Sequence, residues 1–333
     1  ESALDEWGVF APSVESPTLV PLVISDGVAG SARQAAEIQH RLGGDGAPMP
    51  ELVWRMPSGL SLRMRALVRP GALSPVTWVQ YELANESLMV QTGRLCWVVR
   101  PVRLPPPWAG GGLAPIYKIR RVETAGGWQE LWANEEPLFA MPGSNVSFGA
   151  TSFRAGDAAE FFLHGTVPPD RTANDAEGLA SAAWWVDFSL NPGERMRQVA
   201  AAPEGRKVVW PAANGETGPG KVSDWFDREW VETEWNWRAE AGRYAPKIDR
   251  PDAVDCLRAQ VGWMMSMRGA GTGSQGEEVE SIQARVAALL RAGQPTLARS
   301  WIEQVSSGVD AEGWVPAVFR ADGSPAPHMG QEG

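Results

Sequence analysis

At 333 residues, with 44% hydrophobic and 21% charged side chains, the chain can bury one large core or two moderate ones, and its composition is not that of a disordered segment. A formal charge of -10 repels a phosphate backbone, and the densest basic stretch, Lys118, Arg120 and Arg121, is too sparse to counter it, so nucleic acid is excluded as a partner. No apolar run reaches the roughly 20 residues that span a bilayer.

Seventeen Trp against three Tyr is an unusual ratio, and 36 Gly with 27 Pro point to many turns between short strands. Residues Glu1 to Glu6 lack the basic start and apolar centre of a signal peptide, and no Met precedes them, so the sequence reads as a processed or trimmed chain. It fits an exported protein, periplasmic or secreted, or a fragment.

In chain order, Ser31 to Leu42 reads as a short helix capped by Ser31 and stopped by Gly43 and Gly44. From Leu60 to Val68 apolar side chains alternate with Ser61, Arg63 and Arg65, which predicts a half-buried strand. Further strands are predicted at Val76 to Leu83, Leu95 to Val102, Ile116 to Val122, Asn145 to Ser152, Ala159 to Leu163 and Trp184 to Leu190. With no amphipathic helices between them, these imply antiparallel sheets packed as a large sandwich. The segment from Arg103 to Pro115, rich in Pro and Gly, reads as an irregular connection.

After about Val222 the period changes. Phe226, Trp230, Thr233, Trp237, Ala241 and Tyr244 form one stripe of a helix that ends at Pro246. A second helix is expected from Asp249 and Pro251, with Val254, Leu257, Val261 and Met264 inward. A third runs from Glu277 to Ala292 with Ile282, Val286, Leu289 and Leu290 inward, and a fourth from Pro295 buries Leu297, Trp301 and Val305 before Gly308. The expected division is a β domain over 1–220, a Trp-rich linker helix over 221–250 and the start of a helical-hairpin domain over 251–333. The hairpin pattern stops soon after it starts.

Cys96 and Cys256 lie in apolar surroundings without disulfide or metal-ligand spacing and read as buried thiols. His40, His164 and His328 are isolated from each other, so no metal site, no Ser-His-Asp arrangement and no cofactor is expected. Asn85-Glu-Ser87 and Asn145-Val-Ser147 match the glycosylation tripeptide, a frequent coincidence. The Gly269 to Ser274 stretch follows a helix instead of a strand and reads as a flexible connection, not a phosphate cradle.

Three separated segments resemble a family of bacterial six-hairpin glycosidases, a β-supersandwich followed by an (α/α) toroid, related to glucoamylase-like and phosphorylase-like enzymes. The first is Val99-Arg-Pro-Val-Arg-Leu-Pro-Pro-Pro-Trp108 with Gly112-Leu-Ala-Pro-Ile116. The second is Leu179 to Ala183 with Asp187-Phe-Ser-Leu-Asn-Pro-Gly-Glu194, similar to a hairpin ending in Leu-x-Pro-Gly-Glu. The third is Leu257 to Gln260, Ala287 to Gly293 and Gly313 to Pro316, in the order of the first toroid helices.

The resemblance implies a mainly β fold with C-terminal helices and an oligosaccharide or polysaccharide partner. It also implies an Arg-Asp pair facing the sugar, but the matching positions here are Glu280 and Ser281, a reversal of charge that leaves the site rebuilt or lost. The family ending Asp-Ser-His-Gly-Gln corresponds to His328-Met-Gly-Gln331. Glycoside cleavage needs two carboxylates flanking the bond, and no such pair is identifiable; the cluster Glu277, Glu278 and Glu280 is what the dipole of a helix N-terminus attracts anyway.

Trp rings suit the C–H faces of sugars, but Trp97, Trp185, Trp230, Trp237, Trp263 and Trp301 sit on strands or stripes that bury them. Trp108 and Trp314, on connections, are the candidates for exposure. Trp108, Trp314, His328 and Gln331 are therefore the candidate substrate-binding residues of a carbohydrate-active protein that performs no catalysis alone. The alternative is a non-catalytic structural or binding subunit of a larger bacterial assembly, docking through its Trp- and Pro-rich surface or an unfinished helical face.

Overall fold

A computed structural model describes residues 3–13, 15–25, 27–44, 47–69, 75–105, 111–124, 127–143, 146–203, 219–242, 277–291, 295–309, 315 and 318–319. The strands of the first half are β1 (Ala3–Leu4), β2 (Phe10–Ala11), β3 (Thr18–Ser25), β4 (Val28–Gly30), β5 (Glu37–Gly43), β6 (Ala47–Arg55), β7 (Leu60–Arg69), β8 (Val76–Asn85) and β9 (Gln91–Arg100). They are followed by β10 (Lys118–Glu123), β11 (Trp128–Ala133), β12 (Glu136–Pro142), β13 (Ser147–Thr151), β14 (Thr172–Asn174), β15 (Ser181–Leu190) and β16 (Arg195–Pro203). Helix α1 is Ala158–Leu163, α2 Pro219–Gly242, α3 Val279–Arg291 and α4 Pro295–Ser307. The short strands β17 (Glu277–Glu278) and β18 (Val318–Phe319) pair with each other.

The protein is mainly β, with two antiparallel sheets and a few C-terminal helices. The seven-stranded sheet runs β1-β2-β3-β9-β15-β13, with β4 on β3; the nine-stranded sheet runs β14-β10-β11-β12-β16-β8-β7-β6-β5. By contact the chain divides into two compact units. One is Ser2–Arg41 with Pro50–Val231, and the other contains Leu42–Met49 and the chain from Glu232 onward.

Between the sheets, alternate residues of each strand form one core: Tyr81 and Val79 of β8, Leu62 and Met64 of β7, Trp97 of β9, Trp184 of β15, and Leu131 and Phe139 of β11 and β12. The Tyr81 and Trp97 rings meet edge to face at 5.6 Å, which joins the two sheets through an aromatic contact. Every residue of β8 is buried, because its outward residues are covered as well. On the inner half of β9, Cys96 and Val98 point away from the core and pack with Trp185 under Ala158 and Phe162 of α1. Burial pushes the Cys96 thiol well above its ordinary range, as its apolar setting predicted.

Local physics overrides the predicted elements in two places. Ala159 to Leu163 is helical, not a strand: Asp157 accepts from the Ala159 N–H at 2.8 Å as an N-cap, and the pair one turn apart, Ala158 and Phe162, is the buried one. Ser31 to Leu42 is not one helix. Ser31 and Gln34 close a capping box around a single 3-10 turn, Ala32–Gln34, after which the chain extends as β5. β5 lies at the edge of its sheet and is largely exposed, so its polar composition was free to resemble a helix surface.

The resemblance also suggested a hairpin ending at Glu194. β15 and β16 instead belong to different sheets, and Asn191 to Glu194 carries the chain from one to the other. The β8–β9 connection makes the opposite crossing beside it. Asn85, 1% exposed, ties the two crossings together: its Nδ2 donates to the Met89 carbonyl at 2.7 Å and the Leu190 carbonyl at 2.9 Å, while its Oδ1 accepts from Ser87. The Asn85 tripeptide is thus a packing device; Asn145 lies outside the described residues.

In the second unit, α3 and α4 pack through Ile282, Leu289, Ala298 and Trp301, with Val286 and Val305 beside them and the Arg285 guanidinium 4.6 Å from the Trp301 ring centroid. Leu290, expected inward, is exposed, because the stripe centres on Ile282, Val286 and Leu289. Leu297's side chain and the helix expected from Asp249 lie outside the described residues, as do Tyr244, Trp263 and Cys256.

Candidate functional site

A dense set of charged side chains among the described residues of the first unit lies on the outer face of the nine-stranded sheet, under the first half of α2. Alternation puts Arg63 and Arg65 of β7, Trp78, Gln80 and Glu82 of β8, and Arg195 and Arg197 of β16 on that face. These strands are adjacent, with Arg63 opposite Glu82 and Glu82 opposite Arg197. α2 lies over them because Val222, Phe226 and Trp230 form a buried stripe, and Trp225 meets Trp78 edge to face at 4.7 Å.

Glu82, 5% exposed, accepts from Arg197 Nε at 2.6 Å and from Arg195 at 3.2 Å, with Arg63 3.9 Å away. Arg197 also reaches Asp227 of α2 at 3.1 Å. The other Asp227 oxygen takes Arg65, which bonds Gln80 too and stacks its guanidinium 5.1 Å from the Trp230 centroid and 5.6 Å from that of Phe226. Arg69 pairs with Glu229 at 2.7 Å, one more strand-to-helix bond. The bond to Glu82 raises the Arg197 guanidinium further above its already high range.

Chemically, this arrangement clamps and does not react. A general acid must hold a proton on an oxygen that faces substrate. Both oxygens of Glu82 and both of Asp227 already face guanidinium groups. Among the described residues no group of three or more His, Cys, Asp or Glu has the arrangement of a metal site, and no helix is long and apolar enough to cross a membrane.

All four candidate substrate-binding residues, Trp108, Trp314, His328 and Gln331, lie outside the described residues. The flanks of the Trp108 connection are described. Arg103 N–H donates to the Gly112 carbonyl at 2.9 Å, and Val102 pairs with Leu113, so the base of this predicted irregular segment is antiparallel because its prolines lie further along. Glu280 and Ser281 fall in the first turn of α3. Of the Trp residues expected inside, Trp97, Trp185, Trp230 and Trp301 are buried and Trp237 is half-buried.

No family model matches the sequence, and neither does any curated protein. Solved structures do match in fold. The chain is similar to a bacterial glucoamylase complexed with acarbose, with a TM-score of 0.56 at 9% identity, over 96% of this chain and 49% of that one. It also aligns with a putative kojibiose phosphorylase from the human microbiome, with a TM-score of 0.45 at 8% identity, over 92% of this chain and 42% of the other. The chain therefore spans about half the length of the glucoamylase it matches.

Proposed function

We propose that this chain is the sandwich-and-helix part of a carbohydrate-active protein, and that it contributes glycan binding and support without catalysing glycoside cleavage alone. The observation that carries this reading is the fold likeness to the acarbose-complexed glucoamylase over nearly the whole chain. The charge reversal at Glu280 and Ser281, where the resemblance implies an Arg-Asp pair facing the sugar, supports its second half.

The test has two arms. Purified chain is incubated with maltooligosaccharides, with and without inorganic phosphate, and products are followed by chromatography. Binding to the same sugars is measured by calorimetry. Binding without turnover is the expected result. Turnover abolished by replacing a single acidic residue would refute the non-catalytic half, and absence of binding to any glycan tested would refute the whole. A second reading, a structural subunit docking a protein partner, draws support from Leu290 and Ile302, which are exposed on the outside of α3 and α4.

A further inference from the structure

Beyond the Pro/Gly-rich connection, the first unit carries a second polar centre, built around the buried Asp175. Its Oδ2 accepts from the Phe153 N–H at 2.8 Å, and its Oδ1 from the N–H groups of Glu177 at 3.0 Å and Leu179 at 3.2 Å. Its own N–H donates to the Tyr117 carbonyl at 2.9 Å. Asn134 completes the frame: its Oδ1 accepts from the Tyr117 N–H at 2.8 Å, and its Nδ2 donates to the Pro115 carbonyl at 2.7 Å. One residue thus holds the backbone at both Tyr117 and Phe153. Gly178 leaves space for the Tyr117 ring, since a Cβ there would lie 3.1 Å from the ring edge.

The backbone is fixed, yet the side chains face solvent. Tyr117 is 55% exposed, Phe153 58% and Leu113 56%. Arg154, next in sequence to Phe153, and Glu177, whose own N–H binds Asp175, are exposed as well, and Arg154 lies close enough to act on the Asp175 carboxyl. Two exposed rings whose backbones are both tied to Asp175, beside exposed donors and acceptors of both signs, match a sugar, whose C–H faces stack on aromatics while its hydroxyls need such partners. A lipid surface fits less well, because the chain's net charge of -10 opposes anionic headgroups.

We propose that Tyr117 and Phe153 form the stacking platform of a glycan-binding site on the sandwich, with Arg154 and Glu177 as its hydrogen-bonding flanks. The proposal rests on the carbohydrate reading above and assigns that binding to a place. No ordering of the loops is needed on binding, because Asp175 and Asn134 already hold them.

Native gels cast with soluble starch, dextran, xylan or barley β-glucan test this, with the full chain compared against Tyr117→Ala, Phe153→Ala and the double variant. Retardation of the unaltered chain is expected in at least one gel. Each single alanine should weaken it about three- to tenfold and the double variant more than tenfold, while Tyr117→Phe keeps most of it. If near-UV circular dichroism shows the double variant misfolded, Arg154→Ala with Glu177→Ala replaces it, and a several-fold loss is expected there too. Retardation undiminished in these variants overturns the site but leaves the carbohydrate reading standing. No retardation in any of the four gels overturns both. Self-association of the chain that the double variant abolishes would show that the rings meet protein and would overturn the site.

Discussion

Asn85→Ala tests whether one amide joins the two crossings of the sandwich. The side chain makes four hydrogen bonds: two to Ser87, two residues away, and two donated to the Met89 and Leu190 carbonyls. Water can replace the Ser87 pair, since that turn is half-exposed. The Leu190 carbonyl is buried and 105 positions away in sequence, so its loss leaves an acceptor without a donor. Two net bonds at about 1 kcal/mol each, plus an unsatisfied carbonyl at about 1–2, give a destabilisation of about 3 kcal/mol.

In urea, with a slope of roughly 3 kcal/mol/M, that lowers the midpoint by about 1 M at unchanged slope. Intrinsic fluorescence reports it, because Trp54, Trp97 and Trp184 are fully buried in the sandwich core. Asn85→Asp separates the contributions: it keeps the acceptor for Ser87 and loses both donors, so it should be at least as destabilising as Ala. A loss below about 0.5 kcal/mol for Ala, or an Asp variant as stable as the unaltered chain, refutes the reasoning.

Other perturbations bear on the same framework. Gly93→Ala places a Cβ 1.9 Å from the Ile24 carbonyl oxygen, backbone of β3 that cannot turn aside because it is paired to β4 and β9, so the variant should lose several kcal/mol and separate β3 from β9; chemical denaturation measures it. Tyr81→Phe should be neutral or stabilising by about 1 kcal/mol, because the buried hydroxyl has no partner among the described residues; a clear loss in thermal midpoint counts against this. Burial raises the Asp175 carboxyl, but the N–H groups of Phe153, Leu179 and Glu177, with Arg154 nearby, outweigh it and hold the group below the ordinary carboxylate range. Its folded-state value being the lower one, its contribution is complete above about pH 4 and is lost as pH falls through that depressed value. Asp175→Asn should flatten the acid limb of a stability profile measured from pH 5 to 2, and an unchanged limb rules that contribution out.

The sheets were legible where one face met core and the other carried polar side chains. β7 reads correctly because Arg63 and Arg65 alternate with buried Leu62 and Met64. β3 shows no alternation, since both its faces are covered, and it carries Pro21, which cannot donate to a ladder. The structure accommodates that proline because β2 pairs at Leu19 and β4 at Val23 to Ser25, leaving the edge beside Pro21 without a ladder partner. The charged cluster was invisible for another reason. Glu82, Arg197 and Asp227 converge through sheet order and a helix crossing, and no spacing along the chain encodes either one. Tyr117 and Phe153 carry no local signal either, because the side chains that fix their backbones, Asn134 and Asp175, lie 17 and 22 positions away in the chain.

The two helices that cover the sheets are fixed at different places. α1 lies on Cys96, Val98 and Trp185 and is pinned at its N-terminus, where Arg100 of β9 bonds the capping Asp157 at 2.9 Å and the Ala158 N–H donates to Ser181 Oγ of β15 at 2.9 Å. α2 lies on a face where Arg65, Arg69 and Arg197 each bind a particular carboxylate of the helix, Asp227 or Glu229. Ion pairs half-screened by solvent contribute little net stability, because desolvation offsets much of their attraction. Their geometric demand remains: a shift of α2 by one residue would carry Asp227 about 100° around the helix and away from both of its arginines. Apolar burial by Val222, Phe226 and Trp230 therefore attaches the helix, and the charges set its register. Replacing Asp227 by Ala should accordingly cost little in global stability while increasing hydrogen exchange along 219–231, a separation that a purely apolar attachment would not produce.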